Sequence, residues 1–369
     1  MRIAYLLTTL AMGGAERQAL ELARQMSLRG HTIIVVSLGP AVAAEWLTEL
    51  PVTRLGIDWS PVKALTGLAR ARLLLRGFAP DAVHSHCVHP NLFARLLRLT
   101  GVPGRVISTV HNVYEGPWPR LLAYRLTDRL ADQVTFVSRA AADRYVAARA
   151  VSPAKTVVVT NGFDTESFHP DEERRRRMRA AMDAGEGFVW LSAGRLTEAK
   201  DFPNLLRAFA TVCALRPEAQ LWIAGEGSVD YTEGLKRLAI ELGLTRRVRW
   251  LGLRRDMAAL LDAADGFVLG SAWEGMPLVI GEAMAMEKVV AATDVGGVRE
   301  LAGEAALLAT CRDPEALAEA MLKAMRMSAT ERWALGRAAR ARIVERFDVE
   351  ARMLEWDSLY SALLTQKPS

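Results

Sequence analysis

The chain has 369 residues, 51% of them hydrophobic and 24% charged, with a formal net charge of +5. That length predicts two domains, and that balance is ordinary for a globular protein with ample core, which argues against a disordered or fibrous chain. The three cysteines, Cys87, Cys213 and Cys311, have neither zinc-ligand spacing nor a disulfide framework, and no run reaches the ~18 apolar residues of a spanning helix. A protein of the reducing cytoplasm is therefore expected, soluble or peripheral to a membrane.

The charge is uneven. Residues 1–170 carry 19 basic and 12 acidic side chains, a net +7, and the remainder carries 28 and 30, a net −2. A basic N-terminal half suits either an anionic lipid surface or phosphorylated acceptor, or simply a solvated arginine-rich face. Nucleic acid is not expected, since no reading motif and no aromatic platform is present.

Taken in order, Arg2–Thr8 reads as a first strand and not as a signal peptide, because a glycine turn and a helical pattern over Ala15–Arg29 follow at once. His31–Leu38, Ala82–Ser85, Val106–Val110, Gln133–Val137 and Thr156–Thr160 are further short apolar runs, with a helix between two of them over Asn91–Leu99. Phe168-His169-Pro170 then leads into a charged helix, Asp171–Met182, whose run Arg174 to Arg177 reads as a solvated face. Alternation restarts with Phe188–Ser192, Gln220–Ala224, Val248–Leu251, Gly266–Leu269 and Lys288–Ala291. After Pro314 the pattern is helical, ending in Val349–Leu364. Alternating strands and helices imply parallel sheets covered on both faces, here two doubly wound domains with ligands at the carboxyl ends of the strands.

The densest chemistry lies between Asp265 and Glu282. An apolar strand runs to Gly270; then Glu274-Gly275-Met276-Pro277-Leu278 forms a turn, and Glu282 falls one to two turns into the next helix. Pro277 suits a helix start, and backbone N–H groups from about Met276 to Val279 would face a ligand. Two carboxylates beside a helix N-terminus suit a ligand with both hydroxyls and phosphates, and a nucleotide-sugar is one.

This segment resembles the Glu-x7-Glu signature of the retaining, GT-B-fold glycosyltransferases of family 4, the group 1 glycosyltransferases. The resemblance extends, in the family's order, through Met12-Gly13-Gly14-Ala15-Glu16, Thr109-Val110-His111-Asn112, Asn161-Gly162-Phe163-Asp164, Ala193-Gly194-Arg195 with Lys200, Ala224-Gly225-Glu226-Gly227, and Gly296-Gly297-Val298-Arg299-Glu300. It implies an acceptor-side domain over 1–165, a nucleotide-sugar domain over 166–348, and a helix over 349–369 crossing back to the N-terminal domain.

The resemblance also implies roles. Arg195 and Lys200 would contact the donor diphosphate, where fixed cations offset the charge of the leaving group. Glu282 would hold the ribose hydroxyls, Glu274 would position the donor sugar, and His111 would touch a hydroxyl of the transferred sugar. Gly275, Met276, Pro277 and Leu278 would line the donor pocket, with Gly225 and Arg254 bordering the nucleobase. Gly13, Gly14 and Glu16 would lie near the diphosphate and acceptor, although Glu16 equally suits a helix N-terminus. Asp201 reads as a helix cap. No Asp-x-Asp stands at a strand end and the His84, His86 and His89 group is strand-like in spacing, so neither metal nor cofactor is expected.

The expected activity is retaining, metal-independent transfer from a nucleotide-sugar, UDP-linked, to a saccharide or lipid-linked acceptor in cell-surface polysaccharide synthesis. The alternatives are a nucleotide-sugar-binding partner subunit without catalysis, and an epimerase or phosphorylase on the same architecture. The segment Lys63–Phe78, with Arg70, Arg72 and Arg76 among Leu65, Leu68, Leu73, Leu74 and Leu75, reads either as a helix lying on anionic membrane or as a core-packed helix with a basic edge.

Overall fold

A computed structural model of the chain describes residues 1–11, 13–39, 50–57 and 61–365. Met12, the first residue of the glycine block, lies outside the described residues. The chain divides into two units, residues 1–162 with 350–369, and residues 163–349.

In the first unit the apolar runs become strands β1 (Arg2–Leu7), β2 (Thr32–Ser37), β3 (Val52–Arg54), β4 (Ala82–His86), β5 (Arg105–Val110), β6 (Gln133–Phe136) and β7 (Thr156–Val158). They form one sheet in the order β3-β2-β1-β4-β5-β6-β7, with every pairing parallel. Helices α1 (Gly14–Leu28), α2 (Pro61–Phe78), α3 (Val88–Arg98), α4 (Trp118–Thr127) and α5 (Arg139–Ala147) connect them. The chain reverses its direction of travel between β1 and β4, and the carboxyl edge at such a switch point is where open α/β sheets bind ligands.

The second unit begins with α6 (Glu172–Ala181) and then alternates β8 (Val189–Ala193), α7 (Phe202–Leu215), β9 (Gln220–Ala224), α8 (Val229–Glu241), β10 (Val248–Gly252), α9 (Met257–Ala263), β11 (Gly266–Leu269), α10 (Leu278–Ala285), β12 (Val289–Thr293), α11 (Val298–Ala302) and β13 (Leu307–Ala309). Its parallel sheet has the order β10-β9-β8-β11-β12-β13, so its switch point lies between β8 and β11. Helices α12 (Pro314–Arg326), α13 (Ala329–Arg346) and α14 (Val349–Thr365) complete the chain.

Both faces of each sheet are covered, which is why the strands read as continuous apolar runs. In the second unit Leu205, Phe209, Val212, Leu221, Ile223, Val268, Leu317 and Met321 form one core at 0–1% exposure. Each such side chain contributes about 1.5–3 kcal/mol on burial. Trp190 is fully buried, and its ring leaves no room for a side chain at Gly266, where a Cβ would stand 2.7 Å from it.

The final helix α14 packs on the first sheet. Its Tyr360 hydroxyl lies 2.9 Å from the Tyr5 hydroxyl of β1 and 2.7 Å from His84 Nδ1 of β4, and Trp356 sits against the His84 ring at 4.8 Å. Asp357 pairs with Arg29 at 3.3 Å and His31 at 3.0 Å.

One reading of a charged helix needs correction, and for a second helix the structure decides between the two alternatives. The arginines of α6 are not simply a solvated face. Arg174 pairs with the buried Asp262, and Arg175 donates to the carbonyls of Asp262, Ala263 and Ala264 while holding Asp265 at 2.6 Å. These carbonyls end α9, and a helix C-terminus offers acceptors and negative potential to a cation. Arg177 remains exposed, beside Glu173. In α2, Leu68, Leu74, Leu75 and Phe78 turn inward onto the core, while Leu65 and Leu73 stay outside. Arg70 and Arg72 donate to the carbonyls of Leu55 and Thr100, so they hold neighbouring chain segments. The helix is core-packed with a basic edge.

Candidate functional site

Two groups of chemistry-bearing residues stand at the two switch points. In the second unit, the loop after β8 carries Gly194, Arg195 and Lys200, and the loop after β11 carries Ser271, Glu274 and Gly275. β8 and β11 are neighbours, so the fold brings these loops together. Lys200 Nζ donates to Glu274 Oε1 at 2.5 Å, and Ser271 Oγ donates to the same oxygen at 2.6 Å. Ser271 is in turn held by Thr293, whose hydroxyl donates to its carbonyl at 2.6 Å. The ion pair is mostly buried, with the lysine side chain 18% and the glutamate side chain 8% exposed. Glu274 Oε1 therefore takes two donors. An ammonium has three donors, of which this bond uses one.

The Lys200 loop is fixed by its backbone. The Ala199 carbonyl accepts from the Ala272 amide at 2.9 Å, and Asp201 caps α7 by accepting from the Asn204 amide at 3.3 Å. Asp201 does so in the left-handed region, at φ 42°. Gly225 has φ +145°, and a Cβ there would stand 1.9 Å from the Gly194 carbonyl oxygen. Its missing side chain thus lets the loop after β9 lie against the loop after β8. Arg195 is exposed, and among the described residues its guanidinium makes no ion pair or hydrogen bond.

Glu282 is buried on α10, at 4% exposure. Pro277 is the N-cap of that helix and not its first turn. Met276 and Leu278 are buried beside it, and the Gly275 carbonyl accepts from the Gly297 amide at 2.7 Å, joining this turn to the Gly296-Gly297 block. Arg254 is engaged: its guanidinium forks onto Asp256 at 2.8 and 2.5 Å.

The first unit's group is built around two imidazoles. Gly13 is the extended N-cap of α1 and Gly14 opens the helix. Glu16 stands at the third helical position with a carboxylate oxygen only 2.2 Å from where a Gly13 Cβ would be, the placement that favours an acid at a helix start. At the carboxyl ends of β4 and β5, His86 Nδ1 lies 2.9 Å from His111 Nε2. His84, two residues before His86 and so on the same face, is bonded through Nε2 to Thr109 at 2.6 Å, and Thr109 to Thr135 at 2.6 Å. With Tyr360 and Tyr5 this makes a buried chain of five polar side chains across four strands and α14. A group in such a chain is satisfied, which makes His84 a structural residue. A cavity of about 20 Å³, room for one water, is lined by His86, His111, Gln18, Thr160 and Asn161 among others.

Burial dominates the ionisation here. It pushes His111 down to about 4 and His86 well below the ordinary histidine range, the latter with the help of the neighbouring His84 and His111. Both rings are neutral at pH 7. Glu115 lies just beyond, with Oε1 accepting from the His111 amide at 3.1 Å and Oε2 from the Tyr124 hydroxyl at 3.2 Å. Burial pushes its carboxyl up to about 7 against those bonds.

Three residues of these groups carry no role in the sequence reading. Ser271 stands three residues before Glu274 in the strongest block, so its place in the chain was a signal. His86 and Glu115 needed the pairing of β4 with β5 and the turn after His111.

Residues 12–167 match the family described as Glycosyltransferase Family 4, and residues 187–327 match Glycosyl transferases group 1. D-inositol 3-phosphate glycosyltransferase of Corynebacterium urealyticum is 30% identical over 317 residues, 78% of this chain and 73% of that protein. The chain belongs to the group 1 glycosyltransferases. The UDP-Gal:alpha-D-GlcNAc-diphosphoundecaprenol alpha-1,3-galactosyltransferase of Escherichia coli is 30% identical over 244 residues, 61% of this chain, and the match spans only 60% of that protein's length. Among solved structures, Anabaena Alr3699/HepE in complex with UDP-glucose aligns with a TM-score of 0.89 at 24% identity, over 98% of this chain and all of that one. The fold is GT-B.

Proposed function

We propose that this chain transfers a hexose from a UDP-linked donor, with retention and without a metal ion, to a saccharide or lipid-linked acceptor in cell-surface polysaccharide synthesis. The observation that carries the reading is the buried Lys200–Glu274 pair at the β8/β11 switch point, with Glu282 on the helix that follows. Lys200, with Arg195, offsets charge that builds on the departing diphosphate, in a shielded site where such contacts are strongest. Glu274 Oε2 takes a sugar hydroxyl, Glu282 takes the ribose hydroxyls, and His111 meets a hydroxyl of the transferred sugar. The UDP-glucose complex of Alr3699/HepE and the lipid-linked acceptor named for the Escherichia coli relative support the donor and acceptor classes.

The test is donor consumption with the purified chain, UDP-glucose and UDP-galactose being tried first, with the anomeric configuration of the product read by NMR. An inverted product sinks the retaining reading. UDP-sugar binding without turnover, across acceptors that include polyprenyl-diphosphate saccharides, would favour the non-catalytic subunit. C4-inverted donor would reveal an epimerase.

One observation favours a membrane-bound acceptor. On α4, Trp118, Leu122 and Leu126 stand at helical spacing and are 71%, 41% and 75% exposed, with Arg125 and Arg129 exposed beside them. Aromatic and aliphatic side chains flanked by arginine suit an anionic bilayer surface, each cation contributing about 1 kcal/mol. No described helix is long and apolar enough to cross a membrane. Sedimentation with phosphatidylglycerol vesicles at low salt, lost in Trp118→Ser/Leu126→Ser, is the expected result. Vesicle binding unchanged in that variant would reject α4 as the contact.

A further inference from the structure

The contact between the two histidines at the ends of β4 and β5 does more than fill space. We infer that His86 is a positioning residue that fixes the tautomer of His111, so that His111 presents Nδ1–H as a hydrogen-bond donor to its substrate. The inference rests on the reading of His111 as the ring that meets the sugar.

β4 and β5 pair in parallel with His86 opposite Thr109, which places His111 two residues beyond, on the same face. His86 Nδ1 and His111 Nε2 are 2.9 Å apart with the rings tilted by 36°. His86 is itself held between rings, with Tyr5 stacked at 6.0 Å and His84 at 4.2 Å. A ring confined in this way has little freedom to turn away from its partner.

A neutral imidazole has one N–H and one bare nitrogen. Burial keeps both rings neutral, so the shared bond admits only two arrangements. In one, His86 donates from Nδ1 to His111 Nε2; His111 then carries its proton on Nδ1, and His86 Nε2 is bare. In the other, His111 donates from Nε2, its Nδ1 is an acceptor, and His86 carries its proton on Nε2. The far nitrogen of His86 decides between them. His86 is 3% exposed, and among the described residues its buried Nε2 has no hydrogen-bond partner. The second arrangement would leave a buried N–H unsatisfied, a rarer and costlier state than an under-used acceptor. Thr160 Oγ1, also buried without a partner among the described residues, lines the same small cavity, but a hydroxyl donates and accepts alike and so does not discriminate between the two states. The unpartnered Nε2 of His86 selects the first arrangement. His111 Nδ1–H is then the donor for a sugar oxygen, and the proton cannot move to Nε2 without displacing the bond from His86.

The experiment uses the full chain labelled with 15N in its histidine rings, as wild type, His86→Asn and His86→Phe, with donor turnover measured on the same samples. Wild type is expected to show His111 Nδ1 protonated and Nε2 bare. Asparagine carries its amide near the position of Nδ1, so His86→Asn should keep that signature and most of the turnover. His86→Phe should mix the two tautomers of His111 and lower kcat about tenfold while donor KM stays within about twofold, as loss of one hydrogen bond predicts. If His86→Phe does not fold, His86→Gln, whose amide reaches towards Nε2 instead, should give the same mixed signature. A wild-type His111 protonated on Nε2, or identical His111 nitrogens in wild type and His86→Phe, overturns the inference. Should the ring signatures respond as stated while His111→Phe retains full turnover, the positioning stands and the sugar-contact reading of His111 fails.

Discussion

The two units place their polar groups at equivalent switch points of similar sheets, yet the central contacts differ in charge. The second unit sets a buried ion pair, Lys200–Glu274, and a further buried carboxylate, Glu282, at the ends of its strands. The first unit sets neutral imidazoles and hydroxyls there, with His86 and His111 held uncharged by burial. Fixed charge suits a ligand that is itself charged, as a nucleoside diphosphate is. A neutral, directional network suits discrimination among hydroxyls, where the placement of one proton decides donor from acceptor. A shared topology thus sets where ligands go, and local side chains set what kind of contact they receive.

The sharpest way to break this contrast is to remove the charge from the second unit. Lys200→Ala should lower kcat by about 10²–10³-fold, more than it weakens UDP binding, because leaving-group charge is greatest in the transition state. It also leaves Glu274 buried with only Ser271, at a stability cost of about 1–3 kcal/mol. Steady-state kinetics beside calorimetry with UDP separate the two effects, and a kcat within threefold of wild type would remove Lys200 from the diphosphate.

Glu282→Ala should act on binding instead. Charge-assisted bonds of about 1.5–3 kcal/mol correspond to a loss of about 10–100-fold in UDP affinity. Since ribose does not change during the reaction, kcat at saturating donor should move little. Wild-type UDP affinity in this variant would refute the ribose assignment.

In the first unit the sharpening experiment is one of pH. The Glu115 carboxyl rises from an ordinary 4.5 to about 7 on folding, chiefly through burial. Between those values the folded chain holds a proton that the unfolded chain releases, so stability is greatest below pH 4.5 for this group and declines as pH rises towards 7. The shift corresponds to at most about 3 kcal/mol. Glu115→Gln cannot ionise, so unfolding free energies of the two proteins should diverge across this window, the wild type falling relative to the variant. Parallel profiles would mean that Glu115 is ionised in the fold.

The smallest effect expected is none. If Lys200 and Arg195 supply the positive charge, excess EDTA should leave donor turnover unchanged. Activity lost to EDTA and restored by Mg²⁺ would assign part of that work to a metal.

Much of this was legible in the chain itself. Runs such as Gln220–Ala224 and Gly266–Leu269 coincide with their strands, because a buried parallel strand must be apolar on both faces. The glycine and glutamate blocks fall at strand ends because tight turns need small residues there. Two short strands, Val52–Arg54 and Leu307–Ala309, were not legible as separate runs. The arginine run of α6 reads otherwise in the fold for another reason. Arg174 and Arg175 look solvated until α9, some ninety residues later, presents its carbonyl end and Asp262 to them. The sequence by itself determined the alternation, the family and the residue types at each strand end. Only the tertiary structure decided that Lys200 meets Glu274 and that His86 meets His111, because those contacts depend on which strands lie side by side, and strand order is not written in any local pattern.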